Sequence, residues 1–200
     1  LLSILIISLT VYFSYDDLMP SSVKSIETTG FSVDNALSHL KVISKEPHYT
    51  GSKYHQEVQN YIVNELESMG LTTEIQNQVV LNSWRVGTNA ANIIGTIKGS
   101  REGKSLVLLS HYDSRAHSSY GASDAGSGVV TILEGIRAFL SKKENPINDI
   151  HVVFTDAEEI GLLGAEAFVK YHKLIDNVGL VLNFEARGSG EPSYMLMETN

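Results

Sequence analysis

Three short runs of almost unbroken apolar residues constrain this chain more than anything else in it: Leu106-Val107-Leu108-Leu109, residues 150–155 and residues 178–184. A strand with one face in water alternates apolar and polar residues, so a continuous run marks a strand covered on both faces. Stretches of helical character at roughly 127–142 and 160–173 separate the runs. The order strand, helix, strand, helix, strand predicts a three-layer α/β/α fold, a mostly parallel mixed sheet covered by helices and joined by right-handed connections. Upstream, Ala36, Leu37, Leu40 and Ile43 keep a helical spacing that Pro47 stops. Tyr54, Val58, Tyr61, Ile62, Leu66 and Met69 keep it again until Gly70. Residues 72–81 and 92–98, β-branched and partly alternating, predict two more strands around a loop at 82–91.

Composition narrows the function classes. With 42% hydrophobic residues in 200, the chain can bury one substantial core, which predicts a single globular domain. Acidic residues outnumber basic ones 23 to 15, the net charge is −8, and the Lys and Arg residues form no stripe, so nucleic acid is a poor partner. There is no cysteine. Disulfides, thiolate nucleophiles and Cys-based zinc sites are thereby excluded, and any metal must be held by His and carboxylates.

The first residue is Leu1, and residues 1–13 are uncharged and rich in Leu and Ile. That run is shorter than the roughly 20 residues needed to span a bilayer. Residues 1–15 are expected to be part of a membrane anchor, with a signal-peptide remnant as the alternative. Residues 16–30, with Pro20, Ser21, Ser22, Thr28, Thr29 and Gly30, lack periodicity and predict a linker. The folded domain is expected from Phe31 to the end.

The chemistry sits in four clusters, each at the end of a predicted strand or in the loop after it. Ligands of open α/β sheets bind at the carboxyl ends of strands. His111 and Asp113 stand two apart, so the carboxylate can hydrogen-bond one ring nitrogen and leave the other for a metal. Asp124 lies in the glycine-rich Gly121-Ala122-Ser123-Asp124-Ala125-Gly126-Ser127-Gly128, where it can bridge two cations or simply cap the next helix. A phosphate-binding loop does not fit, because no Gly-Lys-Ser/Thr pattern is present. Glu158 and Glu159 follow Asp156. Adjacent carboxylates diverge, so one can ligate while the other serves as general base; both can equally complement a helix dipole. Glu185 ends the last apolar run. Four such clusters together predict a two-metal hydrolytic site built on one imidazole and several carboxylates, a donor set suited to zinc, with manganese or cobalt possible. Ser110 and Ser114 have no Gly-x-Ser-x-Gly elbow around them. His48, His55, His117, His151 and His172 are expected to be surface or packing residues, and Trp84 to be either a loop anchor or a substrate-facing aromatic.

The series His111-Tyr112-Asp113-Ser114, Ser123-Asp124-Ala125-Gly126-Ser127-Gly128-Val129, Glu158-Glu159-x-Gly161-Leu162-x-Gly164-Ala165 and Asn183-Phe184-Glu185 resembles the M28 family of zinc aminopeptidases. Pro47-His48-Tyr49-Thr50-Gly51-Ser52 is similar to that family's entry motif. The resemblance implies a zinc-exopeptidase-like domain over residues 31–200 whose C-terminal part lies beyond Asn200. It also implies two zinc ions: His111 and Glu159 on one, Glu185 on the other, Asp124 bridging them. Glu158 is implied as general base and Asp113 as the group that orients His111. Soluble secreted members carry Asp where this chain has Glu185, which resembles the membrane-bound branch that includes vacuolar and endoplasmic-reticulum peptidases. A fifth ligand, His, is expected beyond Asn200, since none follows His172. The implied function is removal of N-terminal residues from peptides. The implied place is a membrane-anchored catalytic domain outside the cytoplasm, in a bacterial envelope or a vacuolar or endoplasmic-reticulum lumen. The alternatives are a catalytically silent receptor ectodomain and a mononuclear zinc glutaminyl cyclase on the same fold.

Overall fold

The computed structural model describes residues 2–18, 30–117 and 119–186. Its elements run α1 (Leu2–Leu18), α2 (Val33–Ile43), α3 (Lys53–Ser68), β1 (Thr72–Leu81), β2 (Gly87–Ile97), β3 (Ser105–His111), α4 (Ser127–Ser141), β4 (Ile150–Thr155), α5 (Leu163–Tyr171) and β5 (Val178–Asn183). The five strands form one mixed sheet in the order β1-β2-β4-β3-β5. The three strands with continuous apolar runs, β4, β3 and β5, are mutually parallel, while β1 and β2 form an antiparallel hairpin whose second strand pairs antiparallel with β4.

Period-two alternation divides the side chains of the central strands between two cores. Val152 and Phe154 of β4 pack with Ile43 of α2, Ile62 and Leu66 of α3 and Leu133 and Ile136 of α4. Val153 turns the other way, to Ile94, Val107 and Phe168 of α5. Helices therefore cover both faces, as the apolar runs require. Helices α2 and α3 are each opened by a serine whose hydroxyl accepts a main-chain N–H, Ser32 from Asn35 and Ser52 from His55.

Three expectations need adjustment. Strand β2 begins at Gly87 instead of 92, because Gly87-Thr88-Asn89-Ala90-Ala91 has little intrinsic strand preference and is recruited by pairing with β1, Leu81 opposite Gly87. Strand β5 is exposed along Leu180, Val181 and Leu182. It is the sheet's edge, paired only with β3 among the described residues. The expected linker lies outside the described residues except for 16–18, which continue α1, and Gly30. Helix α1 is exposed from Leu2 to Phe13, and no helix among the described residues is long and apolar enough to cross a membrane.

Candidate metal centre

The carboxyl ends of the parallel strands converge on one cleft. His111 is the last residue of β3 and its side chain is almost wholly buried. Its Nδ1 lies 3.0 Å from the Asp113 carbonyl oxygen and 3.4 Å from the Asp113 carboxylate. That leaves Nε2 facing the cleft, where it meets Asp124 Oδ1 at 3.0 Å, Glu185 Oε1 at 3.6 Å and Glu158 Oε2 at 3.8 Å. His111, Asp124 and Glu185 each offer one ligand atom, all within 4.8 Å of one another. Burial alone would lower the His111 pKa, but hydrogen bonding to the Asp113 and Glu185 carboxylates outweighs it and raises the value to about 11. An imidazole that gathers negative groups in this way is a site that favours a cation.

Each carboxylate arrives by a different local device. Asp124 sits in a wide turn, Ala122–Gly126, with extended backbone (φ −111°, ψ 101°) and a cis bond to Ala125, and its side chain is 54% exposed to the cleft. The following helix α4 comes unusually close to the strand ends at Gly128. A Cβ there would lie 2.4 Å from the Phe184 carbonyl oxygen and 2.5 Å from Ser110 Oγ. Glu185 is placed by the continuation of the β3–β5 pairing, in which Phe184 N–H donates to the Leu109 carbonyl at 2.8 Å. Glu158 and Glu159 occupy a tight turn between Ala157 (φ 55°) and Leu162 (φ 60°), ahead of the start of α5. The pair is therefore not part of a helix N-terminus. Burial, then the neighbouring Glu185, Asp113 and Glu159, push the Glu158 carboxyl above its usual range against an opposing pull from His111.

Asp113 does more than orient His111. Its two carboxylate oxygens accept the main-chain N–H groups of Glu158 at 3.0 Å and Glu159 at 3.2 Å, so one buried acid holds the turn that carries both glutamates. Asp156 supports the turn from behind. It is buried and accepts from Thr50, the Ala91 and Ala157 main chain and His55 Nε2, the last at 2.8 Å.

The candidate ligand residues group differently from the partition the resemblance implies. His111 stands with Asp124 and Glu185, whereas the Glu159 carboxylate turns to Arg115 Nε at 3.0 Å. The tight turn explains this, because consecutive side chains leave it in opposite directions. Arg115 was not singled out by sequence, although its place two residues after Asp113 is a signal. Ser110 and Ser114 are fully buried and spent on Phe184 O and the His48 main chain. His48, His55, His151 and His172 lie outside the candidate ligand group, and His55 is a packing residue, buried against Asp156. A larger hollow, about 540 Å³ beside Lys98 to Gly103, holds no comparable group: Lys98 there is already paired with Asp149. The cleft around His111, about 340 Å³, has the chemistry.

Comparison with known proteins gives a consistent picture. Residues 92–200 match the model of Peptidase family M28. The vacuolar membrane protease of Schizosaccharomyces japonicus is 32% identical over 190 residues, covering 87% of this chain and 22% of that protein. Its counterpart in Schizosaccharomyces pombe is 30% identical over 194 residues, covering 90% and 22%. The chain thus spans about a fifth of the length of these curated relatives. A solved Zn-dependent exopeptidase from Parabacteroides distasonis superposes with a TM-score of 0.62 at 25% identity, over 74% of this chain and 58% of that one. The glutaminyl cyclase of Porphyromonas gingivalis shares the fold with a TM-score of 0.67 at 24% identity, over 76% and 58%.

Proposed function

The chain belongs to peptidase family M28, and from that premise we propose that it is the catalytic portion of a zinc-dependent aminopeptidase that hydrolyses N-terminal peptide bonds. The observation that carries this is the convergence of His111 Nε2, Asp124 and Glu185 within 4.8 Å, with Glu158 beside them. One imidazole and two carboxylates fit a zinc ion of the catalytic kind. His111, Asp124 and Glu185 would hold one ion, and Glu159, once released from Arg115, would hold a second together with Asp124. Zinc bound there supplies Lewis acidity, polarising a carbonyl and lowering the pKa of water to about 7.

The rest is the work of this chain's residues. Glu158 takes a proton from the attacking water and returns it to the leaving amine, a task suited to a carboxyl held above its ordinary range and 28% exposed to the cleft. Asp113 fixes the position of that base through the two turn N–H groups and fixes the His111 ring through Nδ1. In support, the two yeast relatives described above carry the name protease. Their name also supports a membrane location, and we include in the proposal that α1 associates with a lipid surface while the folded unit lies outside the cytoplasm.

Glu158→Gln is the direct test. With zinc present it should retain bound metal and lose peptide hydrolysis by about 10²–10⁴-fold. Undiminished turnover in that variant rules the mechanism out. One observation favours a second reading. The group around His111 is a single-cation cluster, with Glu159 engaged elsewhere, as expected of a mononuclear glutaminyl cyclase. Zinc counted per chain, with release of N-terminal pyroglutamate assayed beside peptide cleavage, separates the two.

A further inference from the structure

Leu162 and Ala165, which line the cleft that holds His111 and Glu158, also line a neighbouring hollow of about 390 Å³. Trp84 and Val169 also line that hollow, and Trp84, Val169 and Leu162 are 76%, 58% and 56% exposed. Adjacent large apolar side chains left in water, at the mouth of a polar site, mark a surface that something covers. Here the wall shared with the candidate metal cleft, Leu162 and Ala165, says what: a part of the same molecule that enters that cleft.

The patch is also built into the machinery of the site. Trp84 is at the tip of the β1–β2 hairpin, and the buried Asn82 holds it there. Asn82 Oδ1 accepts the main-chain N–H groups of Trp84 and Val86 at 3.0 Å each. Its Nδ2 donates to the Gly161 carbonyl at 3.4 Å. One side chain thereby ties the hairpin tip to the turn that carries Glu158 and Glu159. Gly161 has φ +116°, and a Cβ there would lie 2.5 Å from Asn82 Nδ2 and 3.4 Å from the Trp84 ring. Only glycine lets Asn82 approach the turn this closely. Glu166, the one charged residue among the described residues lining the hollow, is paired with Lys170, which leaves the wall largely apolar.

We propose that Trp84, Leu162 and Val169 form a specificity subsite that receives a large apolar or aromatic side chain of the peptide, within one or two residues of the bond that is cut. The inference rests on the peptidase reading above. An indole offers broad apolar area at the cost of ordering only two side-chain angles, which makes it an efficient contact for such a group.

Trp84 is the single tryptophan of the 200 residues, so its emission reports on the subsite directly. The zinc-loaded Glu158→Gln variant is titrated with tripeptides carrying Phe, Leu, Gly or Asp at each position in turn. Phe and Leu at one position should shift the emission to the blue and bind about 10-fold or more tightly than Gly or Asp there. In turnover by the otherwise unmodified chain, Trp84→Ala should lower the ratio of kcat/KM between the Phe and Gly peptides by about 10-fold, and Trp84→Phe should restore most of it. An emission that ignores the peptides, or a Trp84→Ala variant with an unaltered ratio, overturns the subsite while leaving the peptidase reading intact. Tight, side-chain-selective binding without cleavage of any peptide by the unmodified chain overturns the peptidase reading and leaves the patch as a peptide-binding surface.

Discussion

His111 and Asp113 show how two residues can organise a whole site. The strand exit turns one ring nitrogen of His111 inward to Asp113 and the other outward to three carboxylates. Asp113 then spends both carboxylate oxygens on the turn at Glu158 and Glu159. In Asp113→Asn one of those oxygens becomes an NH₂ that opposes a buried N–H. We expect a loss of about 1–3 kcal/mol in urea unfolding with the slope unchanged, together with about 10–100-fold weaker zinc binding. Stability and zinc affinity equal to the parent would show that the turn is held by other contacts. The closeness of Asp113 to His111 is legible in the sequence from their spacing of two, although Asp113 lies just past the end of β3 and meets the ring first through its carbonyl oxygen. Its grip on residues 158 and 159 is not, because it joins segments 45 and 46 positions apart.

Among the elements, α2 and α4 are joined by a buried charge. Glu134 accepts the Ser32 N–H at 2.7 Å and is gripped by Arg137, whose guanidinium also donates to the Gly30 carbonyl. Burial alone would raise the Glu134 pKa, but the Arg137 and Ser32 hydrogen bonds outweigh it and hold the carboxyl below its usual 4.5. A depressed folded-state pKa stabilises above the unfolded value and ceases to do so as pH falls through the folded one. Glu134→Gln should therefore cost about 2 kcal/mol at pH 7, and melting curves should show the gap to the parent closing as the pH drops below about 4. A gap independent of pH would mean that the charge contributes nothing. Helix α1 is the opposite case. Its 17 residues are about 25 Å long, and the apolar side chains from Leu2 to Phe13 are exposed. Removing residues 2–18 should leave the melting temperature of the remainder unchanged and abolish co-sedimentation with phospholipid vesicles; retained sedimentation would place the lipid contact elsewhere. Helix α1 is legible as an apolar run, whereas the early start of β2 is not, since pairing with β1 and not residue preference recruits residues 87–91.

Across the whole molecule, a chain of net charge −8 directs Asp124, Glu158, Glu159 and Glu185 into one cleft. Such a concentration of carboxylates opposes folding unless a cation offsets it. Zinc at about a hundred times its dissociation constant should stabilise the fold by about 2.7 kcal/mol, seen as a higher melting temperature that EDTA reverses and that Asp124→Ala lacks. A shift of equal size in Asp124→Ala would assign the zinc to another place. The three-layer fold and the candidate acids and histidine were legible in the sequence alone. Periods of two and 3.6 are local properties, and the acids and histidine stand at the ends of apolar strands or in the loops after them, which a parallel sheet must bring together. The grouping of those side chains was decided only by the tertiary structure. Left-handed turns at Ala157 and Leu162 send Glu158 to His111 and Glu159 to Arg115. Packing alone brings Trp84 at a hairpin tip against Gly161, a residue 77 positions away. Distances between segments far apart in the chain are set by how sheets, helices and turns pack, and no local pattern of residues encodes them.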